Sequence, residues 1–172
     1  MYQSVHVPFG TEMVRRSREA ELVQVIEVHA RSAATPREVF DVLAEVTCWP
    51  AWGIWSRAEV ERPDDAGGGG VGAVRVLTSR SYGRTVVNRE LVTDLVPGAV
   101  LAYDLLSGLP LRNYHGRVEL RPDGAGTSVT WACRFDRATP GLTWLYRRVF
   151  ERFLADTVQR LARYAERDLA GT

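Results

Sequence analysis

Lysine is absent from this chain of 172 residues; all 22 of its basic side chains are arginine. No ε-amino group is available for a Schiff base, for covalent pyridoxal phosphate or for a phosphate-loop lysine, so those chemistries are excluded. Histidine is scarce: His6, His29 and His115 are the whole set, and no two of them stand at metal-ligand spacing. The two cysteines, Cys48 and Cys133, form no CxxC motif and have apolar or aromatic neighbours in sequence. They read as buried thiols, with a disulfide or redox pair as the alternative. No metal site and no cofactor are expected. An excess of one charge is lacking too. The formal net charge is +1, which gives no field to gather nucleic acid or a membrane surface. No apolar run is long enough to span a bilayer, and no signal-peptide pattern opens the sequence. The expectation is a soluble cytoplasmic protein, monomer or homodimer, with no nucleic-acid partner and no membrane insertion.

What is present falls into strands followed by one long helix. From Thr139 to Arg167, Leu142, Leu145, Val149, Phe150, Phe153, Leu154, Val158, Leu161, Ala162 and Ala165 recur at three- and four-residue steps, the period of a helical face. Thr139 is placed to cap the first turn, and Pro140 suits the first helical position. The arginines from Arg147 to Arg167 mostly fall on the other side and read as a solvated face. Leu22 to Ala30 alternates as a strand, with Leu22, Gln24, Ile26 and Val28 on one face. Thr35-Pro36-Arg37-Glu38 is a capping box that opens a helix. Thr47 to Trp52 breaks that helix and starts a second short one.

Six further strands follow, at 56–62, 71–79, 84–95, 100–106, 112–121 and 127–135, separated by turn residues such as Pro97-Gly98, Gly108-Leu109-Pro110 and Pro122-Asp123-Gly124. Short connections imply an antiparallel meander. Gly67 to Gly72 matches GxGxxG. The residues after it are β-branched strand formers, not a helix whose N-terminus could hold a pyrophosphate, so the run reads as a flexible hairpin. Residues 1–20 show no periodicity and read as an extension; 21–168 read as the folded domain.

Several pieces in order carry a resemblance: Thr35-Pro36-Arg37-Glu38-Val39-Phe40, Trp49-Pro50-Ala51-Trp52, Glu90-Leu91-Val92 leading to Pro97, Leu101-Ala102-Tyr103, and Gly126 to Trp131, completed by the C-terminal helix. The chain resembles the SRPBCC superfamily of START-like, Bet v 1-like proteins, and within it the polyketide cyclase/dehydrase group. The resemblance implies an α+β helix-grip fold. A curved antiparallel seven-stranded sheet would wrap around the long C-terminal helix, with two short helices after the first strand. It also implies an apolar cavity between sheet and helix, with ligands such as lipids, sterols or aromatic polyketides.

In the inward register that this resemblance suggests, alternation turns Val86, Asn88, Glu90 and Val92 inward, with Leu101, Tyr103 and Leu105, then Tyr114, Gly116, Val118 and Leu120, then Val129, Trp131, Cys133 and Phe135. On 71–79 two registers stay open: Ala73, Arg75 and Leu77, or Val74, Val76 and Thr78. The site candidates are Glu90 and Tyr103 as catalytic groups, with Arg75, Asn88 and Tyr114 as polar ligand contacts. Trp49, Trp52, Trp55, Trp131, Phe135, Phe150 and Phe153 are the aromatic ones. A carboxylate among apolar neighbours would have its pKa raised toward a general-base range. His115 falls outward, which counts against a histidine mechanism. Some cyclases of this group carry an arginine inside the cavity, on the strand that here spans 84–95; Val92 takes that place. Two readings remain: an enzyme closing a poly-keto chain by aldol chemistry and loss of water, or a carrier or sensor of an apolar small molecule.

Overall fold

The computed structural model describes residues 23–81, 83–136 and 143–170. The extension, Leu22, the Thr139 cap with Pro140, and Leu142 lie outside the described residues. The strands are β1 (Val23–Ser32), β2 (Trp55–Arg62), β3 (Val74–Ser81), β4 (Arg84–Val96), β5 (Val100–Ser107), β6 (Arg112–Asp123) and β7 (Gly126–Asp136). The helices are α1 (Pro36–Ala44), α2 (Trp49–Trp52) and α3 (Thr143–Ala170), with a 3-10 turn at Val46–Cys48 between the first two. The strands form one antiparallel sheet in the order β1-β7-β6-β5-β4-β3-β2. This is the helix-grip architecture. Among the described residues no helix is long and apolar enough to cross a membrane.

The local signals act as their chemistry dictates. The Thr35 hydroxyl accepts from the Glu38 N–H, and the Glu38 carboxylate accepts from the Thr35 N–H at 2.7 Å, which satisfies two donors that open the helix. On β1, Ile26, Val28, Ala30 and Ser32 are buried while Val23 and Val25 face out. Leu154, Val158, Leu161, Ala162 and Ala165 bury one stripe of α3. Polar ties fix the helix to the sheet end: Ser32 Oγ donates to the Ala162 carbonyl at 2.9 Å, and the Ala33 N–H donates to Glu166 at 2.7 Å. Two of the sheet's register breaks lie in the β4–β5 pair, one between Arg89 and Glu90 and one between Val92 and Asp94. They bracket the stretch from Glu90 to Val92, and such breaks increase local twist.

Three expectations are corrected. Val149 does not join the buried stripe; it is 60% exposed. It lies five residues from Leu154, about 140° around a helix of 3.6 residues per turn. The strand expected at Val71 begins at Val74, because Gly72 turns the chain with φ of +93°. The glycine run is also no loose hairpin. Its N–H groups at Ala66, Gly68 and Gly70 donate to the Asp64 carboxylate at 2.9, 2.8 and 2.6 Å. These bonds, the one from Gly68 foremost, hold that carboxylate below its usual range. Gly69 then presents its carbonyl to Arg75.

Candidate functional site

Strand pairing builds the site. β3 and β4 set Arg75 opposite Glu90; β4 and β5 set Glu90 opposite Leu105 and Val92 opposite Tyr103. This settles the open register: Arg75, not Val76, shares the inner face with Glu90. Tyr103 faces Gly116 on β6. A Cβ at Gly116 would overlap the Tyr103 ring, so the missing side chain is what lets that ring lie flat against the sheet.

Among the described residues, an outer and an inner space open between sheet and α3. An outer groove of about 330 Å³ has Phe135, Val86 and Ser79 on its sheet side and Val149 on α3. An inner chamber of about 30 Å³ has Glu90, Tyr103, Tyr114, Trp49 and Trp131 on its walls. Trp55, Asn88, Leu109, Phe150 and Phe153 line both. The chamber has about a tenth of the groove's volume. It admits a hydroxyl-sized group, whereas the groove lies in the range of small-molecule sites.

The chamber's polar groups are buried and sparsely partnered. Glu90 is 7% exposed. Burial pushes its pKa up to about 7, against the pull of the Arg75 charge. The Trp131 indole N–H donates to the Tyr103 oxygen at 3.1 Å, and the Tyr103 and Tyr114 hydroxyls lie 3.4 Å apart. Burial raises both phenols far above their ordinary range, so they act as neutral donors. It also pushes the Cys133 thiol up to about 11. Arg75 lines neither space. It is 1% exposed behind Glu90, donates to the Ala44 and Gly69 carbonyls at 3.2 and 3.3 Å, and lies 6.0 Å from the centre of the Trp49 ring.

Of the aromatic candidates, Trp52 lines neither space. It packs 5.4 Å from Trp49 and 5.5 Å from Trp55, ring centre to ring centre, inside the core. His115 lies outside the cavity, with Nδ1 2.7 Å from Asp104. Sequence reasoning missed Ile54, Leu109, Pro110 and Leu111 at the groove, and Leu154 and Thr157 at the chamber. The signal for the loop was present: three apolar residues in a row at a turn have reason to cover something. Val149 forms the rim. Val149→Glu is expected to change stability by no more than about 0.5 kcal/mol, as for an exposed site. It should weaken uptake of an apolar fluorescent dye roughly tenfold, the loss of about 1.4 kcal/mol of binding. Titrating the dye into both proteins checks this.

The comparisons agree with this fold. The family described as polyketide cyclase/dehydrase and lipid transport matches residues 23–166. No curated protein matches. Among solved structures, the ZhuI aromatase/cyclase from Streptomyces sp. R1128 superposes with a TM-score of 0.69 at 20% identity, over 86% of this chain and 96% of that one. A START superfamily protein from Mycobacterium smegmatis gives 0.72 at 13% identity, over 83% and 97%. The di-domain aromatase/cyclase StfQ of the steffimycin pathway gives 0.74 at 18% identity, over 92% of this chain and 56% of that one. At such identities the structures speak for the fold alone, while the family match spans most of the chain: this protein belongs to the polyketide cyclase/dehydrase and lipid transport family.

Proposed function

We propose that this chain binds an apolar or aromatic poly-keto molecule in the groove and closes a ring in it by aldol chemistry with loss of water. The observation that carries this reading is Glu90, a buried carboxyl without a hydrogen-bond partner among the described residues, at the inner end of an apolar groove and with its pKa near neutrality. A base poised near the working pH is efficient in proton transfer. On this reading the Glu90 carboxylate takes a proton from carbon between two carbonyls. The enolate carbon bonds to a second carbonyl carbon of the same chain, and the resulting alkoxide takes the proton back. In the second stage Glu90 removes the remaining proton on the new bond and returns it to the departing hydroxyl, so water leaves and a double bond forms. Tyr103 and Tyr114 donate to the enolate oxygen. The groove contributes most by holding the reacting carbons together. Residues 21–168 form the working unit, which needs no cofactor; we place it in the cytoplasm as a monomer or homodimer.

One observation favours a second reading, a non-catalytic carrier of a hydrophobic ligand. The chamber beside Glu90 has a volume of only about 30 Å³, which leaves little room for reacting carbons next to the carboxyl. The test incubates the purified protein with a panel of aromatic and poly-keto compounds and weighs what is recovered. A product one water lighter, formed about a hundredfold or more slower by Glu90→Gln, supports the enzyme. A compound recovered unchanged leaves the carrier; turnover indifferent to Glu90→Gln keeps the enzyme but removes Glu90 from catalysis.

A further inference from the structure

The net charge of +1 averages over an uneven surface. At the end of the molecule that carries α1, and on the outer sheet face, arginines are paired: Arg31 with Asp123, Arg37 with Asp41, and Arg117 with Asp94 and Glu119. Those at the mouth of the groove are not. Arg80 and Arg84 stand at the tip of the β3–β4 hairpin, where Arg80 follows Ser79 of the groove wall and Arg84 shares a face with Val86. Arg112 follows Leu111 of the covering loop, and Arg148 and Arg152 flank Val149 on α3. All five are exposed, and among the described residues their side chains form no ion pair or hydrogen bond. Their carboxylate neighbours are Asp136, across from Arg112 and already engaged by Asn113, and Glu151 beside Arg152. This end therefore carries an excess of positive charge. It also exposes apolar side chains: Val149 is 60% and Ile54 47% exposed, and both line the groove. Single exposed apolar residues are ordinary on any surface. These two stand at the rim of an apolar groove, among unpaired arginines.

We infer that this face is an interaction surface for an anionic lipid bilayer, with the arginines at the headgroup phosphates and Val149 and Ile54 in the interface beneath them. Cations near an anionic leaflet are drawn to it, and apolar side chains gain by leaving water where the partner offers an apolar layer. The second requirement favours a bilayer over an acidic protein, whose carboxylates would answer the arginines and leave the two apolar side chains unmatched. The docking is peripheral, since no described helix is long and apolar enough to cross a membrane. In this pose the groove opens toward the acyl layer, and an apolar ligand passes between bilayer and groove without crossing water. The surface is independent of Glu90 and of the ring-closing chemistry.

The test floats the full chain with vesicles of phosphatidylcholine alone and of an equal mixture of phosphatidylcholine and phosphatidylglycerol. The protein is expected on the mixed vesicles and not on the neutral ones. Raising the salt from about 0.1 M to about 1 M, which shortens the screening length from about 10 Å to about 3 Å, should release it. Arg148→Glu with Arg152→Glu should weaken binding by roughly tenfold or more, as each arginine near such a surface adds a several-fold factor. Arg163→Glu with Arg167→Glu makes the same charge change on exposed positions of the same helix. Those positions lie about 16 Å or more further along its axis, beyond the screening length, so binding there should stay within about twofold. An unchanged melting temperature shows that both double variants fold; should either melt early, the lipid-composition and salt arms decide. Equal binding to both kinds of vesicle, equal loss in the two double variants, or no binding to either vesicle overturns the inference. In the last case, retention on polyglutamate that is lost with Arg148→Glu and Arg152→Glu assigns the face to an acidic protein instead. No substrate is present in this assay, so its failure leaves the ring-closing reading standing, and failure of the mass-spectrometric panel leaves this surface standing.

Discussion

Trp49→Ala is expected to cost about 3–5 kcal/mol of folding stability, the range for truncating a large buried aromatic side chain. The melting temperature should fall by on the order of 10 °C, at a few degrees per kcal/mol for a chain of this size. Trp49 is 1% exposed. Its ring centre lies 5.4, 4.7 and 6.3 Å from those of Trp52, Trp55 and Trp131, and its indole N–H donates to the Leu43 carbonyl at 3.1 Å. Removing it deletes an aromatic cluster at its centre, orphans a carbonyl and uncovers the buried guanidinium of Arg75. Thermal or denaturant unfolding checks this. A loss under about 1 kcal/mol would mean that water already reaches the cluster and that Trp49 belongs to an open pocket wall rather than to the core.

Glu90→Gln should make the protein more stable above pH 7 and leave it unchanged in acid. The sign follows from the direction of the shift. The folded state holds the Glu90 pKa at about 7 against an ordinary 4.5, so folding favours the protonated form. That preference is fully present below pH 4.5. It fades as pH rises, because the unfolded chain ionises first, and is gone once pH passes 7. The whole effect is about 3 kcal/mol at roughly 1.4 kcal/mol per pKa unit. Glutamine mimics the neutral carboxyl and does not titrate, so the gap in melting temperature should open between pH 4.5 and 7 and then level off. Parallel profiles for the two proteins would show that Glu90 ionises normally, and the proposed catalytic role would lose its basis.

Much of this arrangement was legible in the order of residues because alternation reports a face whenever only one face is buried. β6 and β7 illustrate it: Tyr114, Gly116, Val118 and Leu120, then Val129, Trp131, Cys133 and Phe135, share faces as their spacing implies and turn inward as the family resemblance implies. β3 resists the same reading because Ala73, Val74, Arg75, Val76 and Leu77 are all buried. With both faces covered, the period carries no information about which one meets the cavity. Only the pairing of Arg75 with Glu90 decides it. The division into groove and chamber was equally hidden. It depends on where Leu109 folds back and where Phe150 and Phe153 point, which are products of tertiary packing rather than of local pattern. Trp52 and Trp55 share a short segment, yet one packs into the core and the other lines the cavity.

The strand order has a consequence for how the molecule assembles. Five of the six pairings join strands that are consecutive in the chain; the exception is β1 with β7, where Val23 meets Asp136 and Ser32 meets Thr127. Hairpins close quickly, whereas bringing distant segments together is slow because loop entropy is lost before contacts reward it. The meander from β2 to β7 can therefore form early as an open trough. β1, against which α3 chiefly packs, arrives late, and the helix seats with it. Until then the trough has no roof. A ligand has nothing to grip in the partly folded chain, and it acts on folding only by slowing the first step of unfolding, the release of helix and first strand together.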